Sequence, residues 1–171
     1  VLFRSGYVGG RLVRALLQDG KRVRVLVRDS KKILGQNWAA DVEIVEGNAS
    51  NASDLDRALA GVHTAYYLLH SINVATDFGD IESEMAKGFA EAAERNEISQ
   101  IVYLGGIAND ENRSRHLTSR MNTGTQLASG KVPVLELRAG IIIGSGSASF
   151  EMLRHLTHRL PIMTTPKWVS N

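Results

Sequence analysis

The stretch "SGYVGGRLVRALLQDG", residues 5–20, decides the fold of this chain. Gly6 and Gly9 stand directly before an amphipathic segment whose apolar residues fall on one helical face, namely Leu12, Val13, Leu16 and Leu17. Gly20 follows where a helix would end, because glycine adopts the left-handed conformation of a helix terminus at little cost. The stretch therefore predicts a tight glycine turn that opens a helix.

Strand-like and helix-like segments alternate along the rest of the chain. The strand-like segments are "RVRVLVR" (22–28), "DVEIVEG" (41–47), "TAYYLLHS" (64–71), "QIVYLGG" (100–106) and "VPVLELRAGIIIG" (132–144). Helices are predicted from Ser53 as a candidate N-cap, and over 80–96, 117–128 and 149–160. Strands joined by helices imply crossover connections. We therefore predict one α/β domain over 1–171, with a doubly wound parallel sheet between two helix layers.

The composition excludes several classes of function. The 20 basic and 18 acidic side chains are interspersed, so no basic surface for nucleic acid is predicted. The absence of cysteine excludes disulfides, thiolate metal sites and cysteine nucleophiles. His155 and His158 have no third ligand nearby in sequence, so no metal is predicted. No apolar run is long enough to cross a bilayer.

These exclusions favour a cytoplasmic protein whose partners are a small-molecule substrate or a cofactor, with neither nucleic acid nor a membrane among them. The sequence leaves the oligomeric state open.

The glycine turn suits a phosphate group. Ligands of parallel sheets bind at the carboxyl ends of the strands, and a helix N-terminus there offers free N–H groups to a pyrophosphate. The backbone of Gly6, Tyr7, Val8 and Gly9 is therefore a candidate cofactor-binding segment. A glycine-rich turn without any ligand explains the same two glycines.

Arg28, at the end of the next strand, bears on which dinucleotide would bind. A carboxylate at this place would accept a hydrogen bond from the ribose 2′-hydroxyl of NAD, whereas a guanidinium suits the 2′-phosphate of NADP. Lys31 and Lys32 stand close enough in sequence to assist. The residue type favours NADP over NAD, and a solvated basic loop is the alternative.

Further candidates follow the later strands. Asn48 and Ala49 are placed to contact the adenine edge, and Leu69 and His70 to line the central stretch of the cofactor. Gly105 lies at the end of the strand that would carry the nicotinamide. A histidine such as His70 is also typical of a packed strand end.

The series "GYVGGRLV", "VRVLVRD", "AYYLLHS", "IVYLGGIAND" and "GSGSASFEMLR" resembles the atypical short-chain dehydrogenase/reductase proteins. It is most similar to the NmrA-like and putative NAD-dependent epimerase subgroup, from Gly6 onward. The resemblance implies a Rossmann-type fold, NADP binding and a substrate cleft formed partly by the C-terminal region.

The active site of that family typically holds Asn, Ser, Tyr and Lys. By position, these places correspond here to Glu82, to Gly105 or Gly106, to His116 and to Arg120, so none of the four residue types is retained. His116 and Arg120 lie on one helix face and can in principle move a proton and hold a hydroxyl or a phosphate. The alternatives are a solvated His/Arg pair and an acidic helix start around Glu82.

Two functions are compatible with these features. One is an NADP-dependent oxidoreductase or epimerase on a small molecule, with Glu82, His116 and Arg120 as candidate catalytic residues. The other is a non-catalytic NAD(P)-binding sensor or regulator of the NmrA-like type.

Both ends of the chain depart from the family pattern. The family would show an apolar strand and a first glycine where residues 1–5, "VLFRS", stand, and the pattern resumes abruptly at Gly6. We expect residues 1–5 to be non-native, the first strand to be largely missing, and the C-terminus to stop within the pattern after "TTPKWVSN".

Overall fold

The computed structural model describes residues 6–69, 78–107, 115–140 and 142–159, without the side chains of 78–80, 115–116 and 148–149. Helices and strands alternate in the order α1 (Tyr7–Gln18), β1 (Arg24–Val27), β2 (Glu43–Glu46), α2 (Ala52–Leu59), β3 (Thr64–Tyr67), α3 (Phe78–Arg95), β4 (Gln100–Gly106), α4 (Arg115–Ala128), β5 (Val134–Ala139) and α5 (Ala148–Arg159). Contacts divide the chain into two units, Val1–Ala139 and Gly140–Asn171. The single domain stays a prediction.

All described strand pairs are parallel. β1 pairs with β2, and β4 lies between β3 and β5. This confirms the predicted α/β architecture. Among the described residues, no strand pairs with the second edge of β1 or of β3. The sequence predicts a largely missing first strand, and residues 1–5, on which that prediction rests, lie outside the described part of the chain.

The alternation of side chains along β1 separates two core clusters. Val25 and Val27 belong to a cluster that also contains Val13 of α1. Leu26, between them, belongs to a larger cluster with residues of α2 and α3, among them Leu55 and Phe89. Because successive strand residues point to opposite faces, the two clusters cover the two faces of the sheet.

Helix α1 ends as the sequence predicts. Gly20 has a φ of +69°, and its N–H donates to the Leu17 carbonyl at 3.0 Å. The Lys21 N–H donates to the Leu16 carbonyl at 2.9 Å. These bonds satisfy carbonyls that would otherwise be unpaired at the helix end, which explains the glycine.

The predicted N-cap of α2 is wrong. Asn51, not Ser53, caps the helix, and its side-chain oxygen accepts from the N–H groups of Ser53 at 2.9 Å and Asp54 at 3.2 Å. Asn51 has the extended backbone that an N-cap requires, whereas Ser53 already lies within the first turn. Both residue types favour this position, so the local sequence did not distinguish them.

The remaining boundaries agree with the sequence to within a few residues, except at β5. The strand predicted over 132–144 ends at Ala139, and the described residues 142–144 form no strand. In the second unit, Ser147 precedes α5, and its hydroxyl accepts from the Phe150 N–H at 3.2 Å. A serine N-cap therefore begins this helix.

The loop after β2 depends on the lack of a side chain at Gly47. A Cβ there would lie 2.8 Å from Cγ and 2.9 Å from Cβ of Asp54. Asp54 cannot easily retreat, because it accepts from the Asn48 N–H at 2.8 Å and pairs with Arg57 at 2.5 Å. Arg57 in turn donates to the Glu46 carbonyl at 3.0 Å.

We expect Gly47→Ala to lower the free energy of unfolding by ~1–3 kcal/mol, because the added methyl group overlaps Asp54. Denaturant titration measures the loss. Gly35→Ala is the matched control, since nothing lies within 4 Å of a Cβ at Gly35. Equal stability of the two variants would contradict the role assigned to Gly47.

Candidate cofactor site and active site

The glycine turn presents an uncapped helix N-terminus. Gly6 is the N-cap of α1, with extended backbone (φ −72°, ψ −170°), and no side chain caps the helix. The first turn holds no acidic residue, and the Arg11 guanidinium lies over the Tyr7 ring at 3.8 Å from its centroid. Free N–H groups with a cation nearby suit an anion. These features are compatible with the predicted binding segment, Gly6 to Gly9, whose role in phosphate binding stays a prediction.

Trp38 packs next to Gly10, a contact that the sequence pattern did not reveal. Trp38 is 2% exposed and belongs to the core cluster that covers α1. A Cβ on Gly10 would lie at ordinary contact distance, 3.8 Å, from its indole Nε1, and that nitrogen is buried without a hydrogen-bond partner among the described residues. Trp38 lies 28 positions after Gly10, and no local spacing relates the two.

The loop after β1 exposes basic side chains. Arg28, Lys31 and Lys32 are not buried. Neither Arg28 nor Lys32 forms an ion pair with any residue that the structure describes. Asp29 uses its carboxylate locally, accepting from the Lys31 N–H at 3.0 Å. Within the described ranges Arg28 thus has no ion-pair partner, which leaves its guanidinium available to an anion.

Asn48 and Ala49 lie at the carboxyl end of β2. The Asn48 side-chain oxygen accepts from the Ser50 N–H at 3.1 Å. Ala49 lines a cavity of about 190 Å³ between the loop, α2 and α3, where Ile81 and Met85 of α3 form further apolar wall. This cavity offers flat apolar surface beside the two residues predicted to contact adenine.

The candidate residues after β3 and at the end of β4 lie in different surroundings. Leu69 is half-buried and packs against the larger core cluster. His70 lies outside the described residues. Gly105 is buried in β4, and a Cβ there would overlap the Glu136 carboxylate. At Gly106 a Cβ would lie 3.2 Å from Leu117 Cδ2. A side chain at either position would therefore require a neighbouring side chain to shift.

Glu82 lies near the start of α3 and is buried. It is 9% exposed and accepts a hydrogen bond from the Ser119 hydroxyl of α4. This contact joins α3 to α4. The structure therefore gives Glu82 a tertiary contact, and both its catalytic role and the acidic helix start stay interpretations.

Arg120 ties α4 to the carboxyl end of β4. Its Nη2 donates to the Leu104 carbonyl, and its own carbonyl accepts from the Tyr103 hydroxyl at 2.9 Å. Its Nε is buried without a hydrogen-bond partner. The interpretation as a solvated surface residue is therefore wrong for Arg120. His116 lies in α4, and its side chain is outside the described part.

Comparison with known proteins identifies the family. A family model described as NAD(P)H-binding matches residues 5–130. The chain belongs to the NAD(P)H-binding family. This confirms the resemblance to atypical short-chain dehydrogenases/reductases as NAD(P)-binding proteins, whereas the NmrA-like subgroup stays a prediction. No curated protein matches the sequence closely enough to count as a relative.

Solved structures share the fold of this NAD(P)H-binding chain. Triphenylmethane reductase from Citrobacter sp., complexed with NADP(H), is 20% identical with a TM-score of 0.69, over 92% of this chain and 54% of that one. Quinone oxidoreductase QOR2 from Escherichia coli, complexed with NADPH, is 19% identical with a TM-score of 0.66, over 80% and 47%. WbmG from Bordetella bronchiseptica, with NAD and UDP, is 17% identical with a TM-score of 0.62, over 80% and 51%.

The chain spans about half the length of these structures. None of the helices in the described residues is long and apolar enough to cross a membrane. The cytoplasmic location of this NAD(P)H-binding protein stays a prediction.

Two buried tyrosines lie beside Glu82 and Arg120. Tyr67 and Tyr103 are each 2% exposed, with ring centroids 6.0 Å apart. Burial raises the pKa of the Tyr67 phenol, and the nearby Glu82 adds to the shift. Burial also raises the pKa of Tyr103, partly offset by Arg120. Both phenols therefore stay protonated at a higher pH than a free tyrosine side chain.

The sequence missed Ser119, Tyr103 and Glu136 as members of this cluster. Ser119 is adjacent to Arg120 but meets Glu82 across 37 positions. Glu136 is opposite Tyr103 only because of the β4–β5 register. No local spacing relates these residues to Glu82 or Arg120 as one cluster, except that Ser119 is the neighbour of Arg120.

We expect the chain to lose stability above about pH 10, because both phenols ionise more readily in the unfolded state. A pKa raised by folding leaves the stability intact below the unfolded value and reduces it as the pH rises further. Denaturant midpoints at about pH 8 and about pH 11 measure the loss, which Tyr67→Phe should diminish.

Tyr103→Phe is the comparison variant. It removes the hydroxyl that donates to the Arg120 carbonyl and should cost about 1 kcal/mol at about pH 8. Because burial raises the pKa of Tyr103 as well, this variant should also lose less stability than the unaltered chain between the two pH values. If Tyr67→Phe loses as much stability as the unaltered chain between the two pH values, the account of the alkaline loss is wrong.

Proposed function

We propose that the chain is the cofactor-binding part of an NADP-dependent oxidoreductase or epimerase that acts on a small molecule in the cytoplasm. The observation that carries the proposal is Arg28, which lies exposed at the carboxyl end of β1 without an ion pair among the described residues. A guanidinium at this place suits a 2′-phosphate.

The residues present fit a nicotinamide dinucleotide. The uncapped N-terminus of α1, at Gly6 to Gly9, would hold the pyrophosphate. Arg28, with Lys31 and Lys32, would hold the 2′-phosphate. Asn48 and Ala49, beside the cavity against α3, would hold the adenine. When bound, the reduced cofactor supplies hydride.

The comparisons support a nicotinamide cofactor of either kind. The Citrobacter reductase and the Escherichia coli oxidoreductase were solved with NADP(H) and NADPH, and WbmG with NAD. The preference for NADP rests on Arg28 alone.

The proposed catalytic residues are Glu82, Ser119 and Arg120. The Glu82 carboxylate accepts the hydrogen bond of the Ser119 hydroxyl, so a proton can be held at Ser119 Oγ and accepted by Glu82. Arg120 is fixed through the Leu104 carbonyl and presents its remaining N–H groups to an anionic or hydroxyl group. His116 remains a candidate by position.

We expect Arg28→Ala to weaken NADPH binding about tenfold or more, because charge-assisted hydrogen bonds contribute ~1.5–3 kcal/mol. NADH binding should stay nearly unchanged. Titration of cofactor fluorescence measures both affinities. Arg22→Ala, an exposed arginine before β1, is the matched control. Equal losses for the two cofactors in Arg28→Ala would refute the NADP preference.

We expect Glu82→Gln in the full-length protein to lower kcat by about a hundredfold or more, since acid–base groups typically contribute ~10²–10⁴-fold. NADPH affinity should not change. Ser119→Ala should act in the same direction. NADPH oxidation over carbonyl and sugar-nucleotide substrates measures the rate, and Thr125→Ala, an exposed residue of α4, is the control.

The second candidate is a non-catalytic NAD(P)-binding sensor. The observation that favours it is the replacement of all four typical active-site residue types, with Gly105 held by packing against Glu136. NADPH binding without turnover across the substrate panel would support the sensor and refute the enzyme.

A further inference from the structure

A carboxylate lies against the basic loop that follows β1. The register of the β1–β2 pair places Glu46 opposite Val27, directly before Arg28. The Ser30 N–H donates to Glu46 Oε2 at 3.2 Å. One acidic side chain from the neighbouring strand therefore reaches the middle of the segment between Arg28 and Lys32.

The backbone around Glu46 is fixed on both sides. Its carbonyl accepts from Arg57 Nη2 of α2 at 3.0 Å. The following Gly47 N–H donates to the Val27 carbonyl at 2.9 Å. Glu46 is therefore anchored to α2 and to β1, and the position of its exposed carboxylate is set by the fold.

The carboxylate is ionised at neutral pH. Hydrogen bonds from the hydroxyl and the N–H of Ser30 lower the pKa of Glu46, and the charge of Lys31 acts in the same direction. The segment thus brings a negative charge to the same strand ends as Arg28, which has no ion-pair partner in the part of the chain that the structure describes.

We propose that Glu46 is a specificity-determining residue that opposes the NADP preference given by Arg28. Its carboxylate repels the 2′-phosphate of NADP and accepts a hydrogen bond from the ribose 2′-hydroxyl of NAD. The inference rests on the proposed cofactor site and deepens it. Arg28 alone would favour NADP strongly, because a guanidinium binds a phosphate dianion and gains little from a hydroxyl. With the Glu46 carboxylate held against the same loop, the preference for NADP is smaller than Arg28 alone would give, and NAD binds as the weaker of the two dinucleotides.

The position differs from the usual one for such an acid. An acidic residue that reads the ribose 2′-hydroxyl usually stands about 20 residues after the glycine turn, where this chain has Arg28. Glu46 belongs to the adjacent strand and reaches the same loop laterally through Ser30. Both determinants can therefore be present at once.

The variant Glu46→Gln distinguishes the effect of the negative charge from that of the hydrogen bond to Ser30. The glutamine oxygen can still accept from the Ser30 N–H, so the loop keeps its anchor while the negative charge is removed. Glu43→Gln is the matched control, because Glu43 is an exposed glutamate at the opposite end of β2 and pairs with Arg24 at 2.8 Å. Asp29→Asn removes the other acidic charge of the loop and retains a side-chain oxygen for the Lys31 N–H.

The affinities of the full chain for NADPH and NADH are measured by titration at low and at high ionic strength. We expect Glu46→Gln to tighten NADPH binding about three- to tenfold, as for partly screened surface charges, and to leave NADH binding unchanged or weaker. The gain should shrink at high ionic strength, because exposed charges are screened by salt. A purely structural role of Glu46 would show no such salt dependence.

Each other outcome is decisive. An unchanged ratio of the two affinities in Glu46→Gln, or the same change in Glu43→Gln, overturns the inference. If the ratio of NADPH affinity to NADH affinity rises in Asp29→Asn and not in Glu46→Gln, the effect belongs to Asp29, and the inference is likewise overturned. If the unaltered chain binds neither dinucleotide, the proposed function fails first.

Discussion

Parallel strand pairing is the constraint on which the rest of this structure depends. Parallel strands need crossover connections, and the connecting helices then cover both faces of the sheet. β1 meets this requirement within three residues, since Val25 and Val27 pack toward α1 while Leu26 packs toward α2 and α3. The same geometry brings the carboxyl ends of neighbouring strands to one edge. The loops that carry Arg28 and Asn48 therefore follow the carboxyl ends of β1 and β2. The Leu104 carbonyl that binds Arg120 lies near the carboxyl end of β4.

Polar groups between the sheet and α4 determine which side chains surround Arg120, one of the proposed catalytic residues. Tyr103, Arg120 and Leu104 form a closed set of backbone and side-chain hydrogen bonds between β4 and α4. Glu136 occupies the space beside Gly105 and Gly124. A side chain at Gly105 would have to displace a carboxylate that is paired with Arg138 at 3.0 Å. A side chain at Gly105 and the present position of the Glu136 carboxylate therefore exclude each other.

Local patterns predicted most of the fold and little of this arrangement. The apolar face of α1, the glycine after it and the bounds of β4 follow from residues close together in sequence, and the structure agrees at each. Where two residues compete for one local role, as Asn51 and Ser53 do for the N-cap, the pattern chose wrongly. Contacts such as Glu82 with Ser119, or Trp38 beside Gly10, join residues far apart in the chain. Their pairing depends on helix packing, which no single-sequence spacing encodes.

The two ends of the proposed site therefore differ in how much of each can be predicted from local sequence. The dinucleotide end consists of helix N–H groups and short loops, so its residues act through local backbone geometry and through their charge. The chemical end is an assembly of α3, α4, β4 and β5, in which Glu82 is buried by its neighbours rather than by its own helix pattern. Charge at the dinucleotide end can change by one exposed substitution without disturbing the core, as the exposed positions of Arg28 and Glu46 allow. A change at Glu82 or Glu136 alters packing and chemistry together. In this chain the proposed cofactor preference therefore depends on exposed charge, whereas the proposed chemistry depends on how α4 packs against the sheet.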